Sequence, residues 1–186
     1  MSVASDARAA LRQRLLAARL ALSDPAARSE VLAAQLKPWL AMQPFDCIAA
    51  YWPVRGEPDL RAVLAEWLAA AAGRVAALPV IDGELLQFAP WTPQAPMQPG
   101  AHGIAVPATA ARVQPQALLI PCVGLDAQRY RLGYGGGYYD RTLAVLAPPP
   151  FAVGVAFDCA RVASIEPQPH DIALDAALTE QGWIKS

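Results

Sequence analysis

The sequence predicts a single-domain α/β fold: a three-layer α/β/α sandwich with a mixed, mainly parallel sheet and an N-terminal helical segment. Three observations carry that expectation. Short runs that are apolar throughout, such as 117–121 and 151–157, recur along the chain. A strand with no polar side is one buried on both faces, as in parallel sheets. Helical segments separate these runs, which is the alternation of an α/β fold. At 186 residues and 55% hydrophobic composition, the chain can also close one full core.

Residues 5–22 read as the first helix. Leu11, Leu15 and Leu22 share one stripe at helical pitch, and Arg8, Arg12 and Arg19 form a second beside it. Ser23-Asp24-Pro25 restarts the chain with a cap residue and a proline suited to the first turn. The second helix runs to about residue 36 and should end by Pro38. This segment, residues 1–40, is basic: Arg8, Arg12, Arg14, Arg19, Arg28 and Lys37 face only Asp6, Asp24 and Glu30. It is expected to pack on the α/β core as part of one domain, 1–186. Residues 47–52 form an apolar strand, and 60–72 an alanine-rich helix stopped by Gly73. A strand at 74–80 is closed by Pro79 and Asp82-Gly83, and 85–89 returns beside it as a hairpin. The proline- and glycine-rich stretch 89–113 has no clear period, which predicts a long ordered loop with room for one short strand. Strands at 117–121 and 151–157, a helix at 138–146 before Pro148-Pro149-Pro150, and a last strand at 173–178 complete the chain. There is no internal repeat.

Composition excludes several function classes. A charged fraction of 17% and a net charge of −1 fit neither disorder nor a broad nucleic-acid surface. Three cysteines with no CxxC spacing argue against a disulfide framework or a Cys-rich zinc site, and for free thiols in a reducing cytosol. Two histidines are too few for a zinc site with several His ligands. Residues 1–10 have no apolar signal core and no run approaches membrane-spanning length, so a cytoplasmic protein without a membrane partner is expected.

Ligands of open α/β sheets sit beyond the carboxyl ends of strands, which directs attention to three loops. The strongest is Arg131-Leu-Gly-Tyr-Gly-Gly-Gly-Tyr-Tyr-Asp140, between a buried strand and a helix. Gly133, Gly135, Gly136 and Gly137 let the backbone take positive φ and approach a ligand closely. Successive N–H groups and a helix N-terminus then make an anion nest. Arg131 adds a permanent cation with a planar donor fork, and Asp140 could hold a metal bound to phosphates. The loop is neither a Walker A sequence nor a dinucleotide fingerprint: no Gly-Lys-Ser/Thr occurs, and Tyr138 stands at the third glycine position. In the second loop, Trp52 offers a flat face for a heteroaromatic ring and Glu57 a carboxylate at the sheet mouth. In the third, Pro167 and Pro169 pre-set the backbone and aim Asp171 at a fixed spot. The arginine stripe could equally be a solvated helix face.

Together these segments resemble the 5-formyltetrahydrofolate cyclo-ligase family over nearly the whole chain. The resemblance covers Arg8 with Leu11-Arg12, Gly56-Glu57, Pro-x-Val-x-x-Asp126, the loop 131–140, Pro169-His-Asp171 and Thr179-Glu180. Some members have a lysine where Gly136 stands. The resemblance implies an ATP-dependent enzyme that closes 5-formyltetrahydrofolate to 5,10-methenyltetrahydrofolate, releasing ADP and phosphate through a phosphorylated formyl intermediate. It places ATP phosphates at Arg8 and Arg12, and ATP along Arg131, Leu132, Gly133, Tyr134, Gly135, Gly136, Gly137, Tyr138 and Tyr139. It places folate at Trp52 and Glu57 and along Tyr134 to Tyr138, Mg²⁺ at Asp140 and Asp171, and the chemistry on Arg131 and Glu57. A monomer acting on small molecules is implied. The competing readings are a non-catalytic nucleotide- or folate-binding module, and a sugar-phosphate isomerase or CoA-transferase-like enzyme on a related scaffold.

Overall fold

A computed structural model describes residues 3–184. Its centre is a seven-stranded sheet. Five strands run parallel, in the order β10 (Ala176–Thr179), β9 (Phe151–Val155), β6 (Ala117–Pro121), β1 (Cys47–Ala49) and β2 (Val75–Asp82). The edges are antiparallel: β3 (Leu85–Trp91) pairs with β2, and β11 (Gly182–Trp183) with β10.

Side chains alternate across the sheet, so each strand feeds two cores. Ile48, Leu78, Leu119, Val153 and Leu178 point to one face, where they meet α2 (Pro25–Met42) and α3 (Arg61–Ala69). Ala49, Ala77, Leu118, Ile120, Ala152 and Ala177 point to the other, beneath Tyr138, Tyr139 and Leu143 of α4 (Tyr138–Val145). The result is the expected α/β/α sandwich with a mixed, mainly parallel sheet.

The element boundaries differ from the sequence reading where tertiary packing overrides a local signal. Pro38 does not end the second helix, which continues to Met42. Leu32, Leu36 and Leu40, on both sides of the proline, are at most 1% exposed. Each contributes roughly 1.5–3 kcal/mol by burial, enough together to offset the proline's cost of about 3 kcal/mol. Asp24 sits at the N-cap with φ 53° and makes no side-chain cap. Pro79 lies inside β2, because Ala77 is the last residue paired with β1 and the missing N–H of Pro79 faces the side that β1 has left. Within 89–113 the structure forms more than one short strand. β3 extends to Trp91, and β4 (Met97–Pro99) pairs with β5 (Ala105–Pro107).

A further small hairpin matters more for function. β7 (Gly124–Leu125) and β8 (Arg131–Leu132) pair just past the carboxyl end of β6. Asp126, 1% exposed, closes the turn by accepting N–H bonds from Gln128, Tyr130 and Ile165. The N-terminal helix α1 (Val3–Leu20) docks here. Leu15 packs with Val123, Leu132 and Ile165, flanked by Leu11 and Leu16. A Cβ on Gly124 would meet Leu15 Cδ1 at 2.8 Å and Leu132 Cβ at 3.2 Å, so this close approach requires glycine.

Candidate active site

α1 crosses the carboxyl edge of the parallel strands, and its arginine stripe faces the protein. Arg8 grips Asp171 with both terminal nitrogens, Nη1 to Oδ2 at 2.5 Å and Nη2 to Oδ1 at 3.2 Å, and also donates to the Glu166 carbonyl. Arg12 Nε donates to the Gly133 carbonyl at 2.7 Å. Arg19 Nη2 donates to the Tyr134 hydroxyl at 2.5 Å. The reading of this stripe as a solvated face therefore does not hold. Arg12 is itself electrostatically loaded: burial and then the charge of Arg8 lower its pKa. Among the described residues its terminal nitrogens make no hydrogen bond. Arg8 is matched by Asp171, so the free donors are those of Arg12, and an anion beside them would relieve the cost of its burial next to a second guanidinium.

The glycine loop runs from Leu132 to the start of α4. Gly135 (φ 101°) and Gly137 (φ 67°) hold left-handed backbone, and Gly137 is the N-cap of α4 with no side-chain cap. The first N–H groups of the helix are thus left to solvent or a ligand. Arg141 ties the loop from outside, bonding the Gly136 and Glu84 carbonyls. Beneath the loop lies Arg131, 5% exposed. Its Nη1 donates to the Ile172 carbonyl at 3.2 Å, and its Nη2 is 2.8 Å from Asp140 Oδ1. That second contact is an ion pair without an aligned hydrogen bond, since Nη2 has no partner of adequate geometry.

Glu57, on the segment after β1, and Tyr134, in the glycine loop, are directly bonded. Tyr134 donates its hydroxyl proton to Glu57 Oε1 at 2.7 Å, and Glu57 Oε2 accepts the Val54 N–H at 2.8 Å. Burial pushes the Glu57 carboxyl up; these bonds, Arg19 and Arg55 pull partly against it. Trp52 is half-buried. The Arg61 guanidinium stacks 4.5 Å from its ring centroid, and Trp91, Ala95 and Met97 join it around a cleft of about 390 Å³. None of the glycine-loop residues lines that cleft. A second cleft of about 390 Å³ lies between α1 and the 164–166 loop, lined by Arg8, Leu11, Arg14 and Glu166 among others.

Asp140 and Asp171 lie close together, since Asp140 accepts the Ile172 N–H at 3.2 Å. Each is already matched with an arginine. Among the described residues no group of three or more His, Cys, Asp or Glu could hold a metal. Hard carboxylate oxygens suit Mg²⁺, but this set suits an ion carried mainly by phosphates and water rather than a protein cage.

One residue of the site has no role in the sequence analysis. Arg19 was visible in the stripe but carried no assigned role; its i, i+4, i+11 spacing with Arg8 and Arg12 was the available signal. Glu180, part of the Thr179-Glu180 pair in the family resemblance, is 7% exposed and joins Arg28 of α2 to the Asp158 N–H.

The sequence model of the 5-formyltetrahydrofolate cyclo-ligase family matches residues 4–180. The chain belongs to that family. The cyclo-ligase of Haemophilus influenzae is 31% identical over 68% of this chain and 72% of its own length. That of Escherichia coli K12 is 33% identical over 71% and 76%. Among solved structures, a 5,10-methenyltetrahydrofolate synthetase from Aquifex aeolicus superposes with a TM-score of 0.78 at 28% identity, covering 96% of this chain and 92% of that one. One from Mycoplasma pneumoniae gives 0.76 at 26%, covering 93% and 98%. Cyclo-ligase membership makes the chain a carbon–nitrogen bond-forming enzyme, which sets aside the binding-module, isomerase and CoA-transferase readings.

Proposed function

We propose that the enzyme closes 5-formyltetrahydrofolate to 5,10-methenyltetrahydrofolate at the expense of ATP, as a monomer in the cytoplasm. The observation that carries this reading is the glycine loop held by Arg12 from α1 and underlain by Arg131. That arrangement suits a polyphosphate, while Glu57 is bonded to Tyr134 of the same loop.

The chemistry sets what the residues must do. An N-formyl carbon is a poor electrophile and its oxygen a poor leaving group. The formyl oxygen attacks the γ-phosphorus, ADP leaves, and the oxygen becomes a phosphate ester. N10 then attacks the activated carbon and gives up its proton, and inorganic phosphate departs with that oxygen. No protein nucleophile is needed; alignment and charge neutralisation suffice. Arg8 and Arg12 hold the phosphates at α1, and the loop 133–137 presents N–H groups to them. Arg131 neutralises charge developing on the transferred phosphoryl group. Asp140, with Asp171, would hold Mg²⁺ against the phosphates by yielding one oxygen from its arginine partner; the ion supplies further charge neutralisation. Trp52 and Glu57 take the folate, Glu57 by accepting its ring N–H groups, and the loop residues 134–138 border it.

Oxygen tracing tests this. Substrate labelled with ¹⁸O in the formyl group should deliver the label to inorganic phosphate, one atom per turnover. Label released into water instead would contradict the phosphorylated formyl step.

A further inference from the structure

Arg19 has no part in the scheme above, yet it is among the most buried charges of the protein, 5% exposed. A buried guanidinium is costly unless something holds it, and among the described residues no carboxylate pairs with it directly. Nη1 makes a long bond to the Cys122 carbonyl at 3.4 Å, and Nε has no partner. Its close contact is Nη2 to the Tyr134 hydroxyl, 2.5 Å.

The chemistry of that contact has a direction. Arginine only donates, so the Tyr134 oxygen accepts from Arg19 and its own proton must go elsewhere. Glu57 Oε1 lies 2.7 Å away and takes it. The relay therefore runs one way, from guanidinium through phenol to carboxylate. It also joins two loops: Tyr134 belongs to the glycine loop and Glu57 to the segment after β1.

We propose that Arg19 is a positioning residue for folate binding at Glu57: by occupying the Tyr134 hydroxyl as an acceptor, it commits the Tyr134 proton to Glu57, keeps that carboxylate charged and oriented, and latches the glycine loop to it. The proposal rests on the reading of Glu57 as a folate-binding residue.

The surroundings of Glu57 agree. Burial opposes its charge, and Arg19 and Arg55 favour it. Arg55 is exposed, on the same segment, with its guanidinium 5.4 Å from the Tyr134 ring centroid. The other ionisable groups coupled to Glu57 are Tyr51, Tyr139 and Cys122; burial raises all three, Cys122 to about 12, so they stand neutral near pH 7. Arg19 is the buried cation that acts on Glu57 through a hydrogen-bonded chain.

The test uses the full chain and five variants: Tyr134→Phe, which removes one oxygen, Arg19→Met, Arg19→Lys, the double variant Arg19→Met/Tyr134→Phe, and Glu57→Gln. Steady-state kinetics give KM for 5-formyltetrahydrofolate, KM for ATP and the pH profile of kcat/KM for folate. Loss of one charge-assisted bond should raise the folate KM about tenfold in Tyr134→Phe and in Arg19→Met, and raise it more than the ATP KM, whose loop the same latch touches. The acid limb of the profile should move to higher pH, because Glu57 loses groups that favour its charge. The double variant should be no worse than the worse single, since both changes cut one relay. Arg19→Lys, which can still donate, should recover part of the loss. Additive effects, or an ATP KM that rises in step with an unmoved acid limb, would reduce Arg19 to a strut for α1. If Arg19→Met fails to fold, Tyr134→Phe alone decides by the same KM and pH readouts. Glu57→Gln separates the two layers. If it raises the folate KM while the Arg19 and Tyr134 variants do not, this proposal alone fails; if it leaves the folate KM unchanged, the Glu57 reading fails as well.

Discussion

Arg131→Ala removes the cation beneath the glycine loop, and the structure sets two separate costs. The first is stability. The Arg131 side chain is 4% exposed and that of Asp140 19%. Stripping one partner from a buried ion pair costs about 3–5 kcal/mol. Water reaches Asp140, which places this pair near 3 kcal/mol, and the lost bond to the Ile172 carbonyl adds about 1 kcal/mol. A domain stable by roughly 5–15 kcal/mol survives that loss. The second cost is kinetic: losing one preorganised charge donor should lower kcat about a hundredfold or more, at least about 2.7 kcal/mol of transition-state stabilisation. Urea unfolding measures the first. Initial rates of methenyl-folate absorbance at saturating ATP and folate, well below the melting temperature, measure the second. Adding Asp140→Asn removes the orphaned charge, so it should restore stability by about 2 kcal/mol and restore no turnover. A folded Arg131→Ala enzyme with kcat within about threefold of the parent would refute the catalytic role. So would recovery of kcat in the double variant.

Gly133→Ala isolates ligand approach from folding. A Cβ there meets nothing within 4 Å, so stability should change by less than about 0.5 kcal/mol while the ATP KM rises; an unchanged KM removes this backbone from the ATP site. Gly124→Ala should cost about 1–3 kcal/mol by overpacking against Leu15 and Leu132, with activity falling as α1 is displaced; calorimetry and rates together check both. Asp126→Ala strips the acceptor from three backbone N–H groups and should cost about 3 kcal/mol, read by urea unfolding. The Asp171 carboxyl has burial raising it, outweighed by the bonds from Arg8 and the Gln168 N–H and by the Arg8 charge, for a net lowering. Its contribution is therefore complete above the ordinary carboxylate value, about pH 4, and is lost as pH falls through the lower folded value. Arg8→Met should flatten that acid-side loss; an unchanged acid unfolding profile would show that the pair is not what titrates.

The sheet was legible because its strands are apolar on both faces, and that pattern survives any change of register. The helix boundaries were less so: Pro38 signals an end, and only the burial of Leu40 beyond it, a tertiary fact, carries the helix on. The β7–β8 hairpin was invisible because four residues of strand leave no period to count. The loop 131–140 was legible as a site because glycines bracketed by charge have few other uses. Where those charges point was not. Arg8, Arg12 and Arg19 read equally as solvated, and their partners Asp171, Gly133 and Tyr134 lie more than 100 residues away in sequence. Such contacts appear only when the chain is folded. Glu57 was found from its place after a strand, but its burial and its bond to Tyr134 came from the structure.

The most direct test of the central claim is near-ultraviolet absorbance on mixing the purified chain with 5-formyltetrahydrofolate and Mg²⁺, with and without ATP. The account predicts a rising methenyl-folate band only when ATP is present, with one ADP released per ring closed. No band in the presence of all three, from a folded protein that binds both folate and ATP, would contradict it.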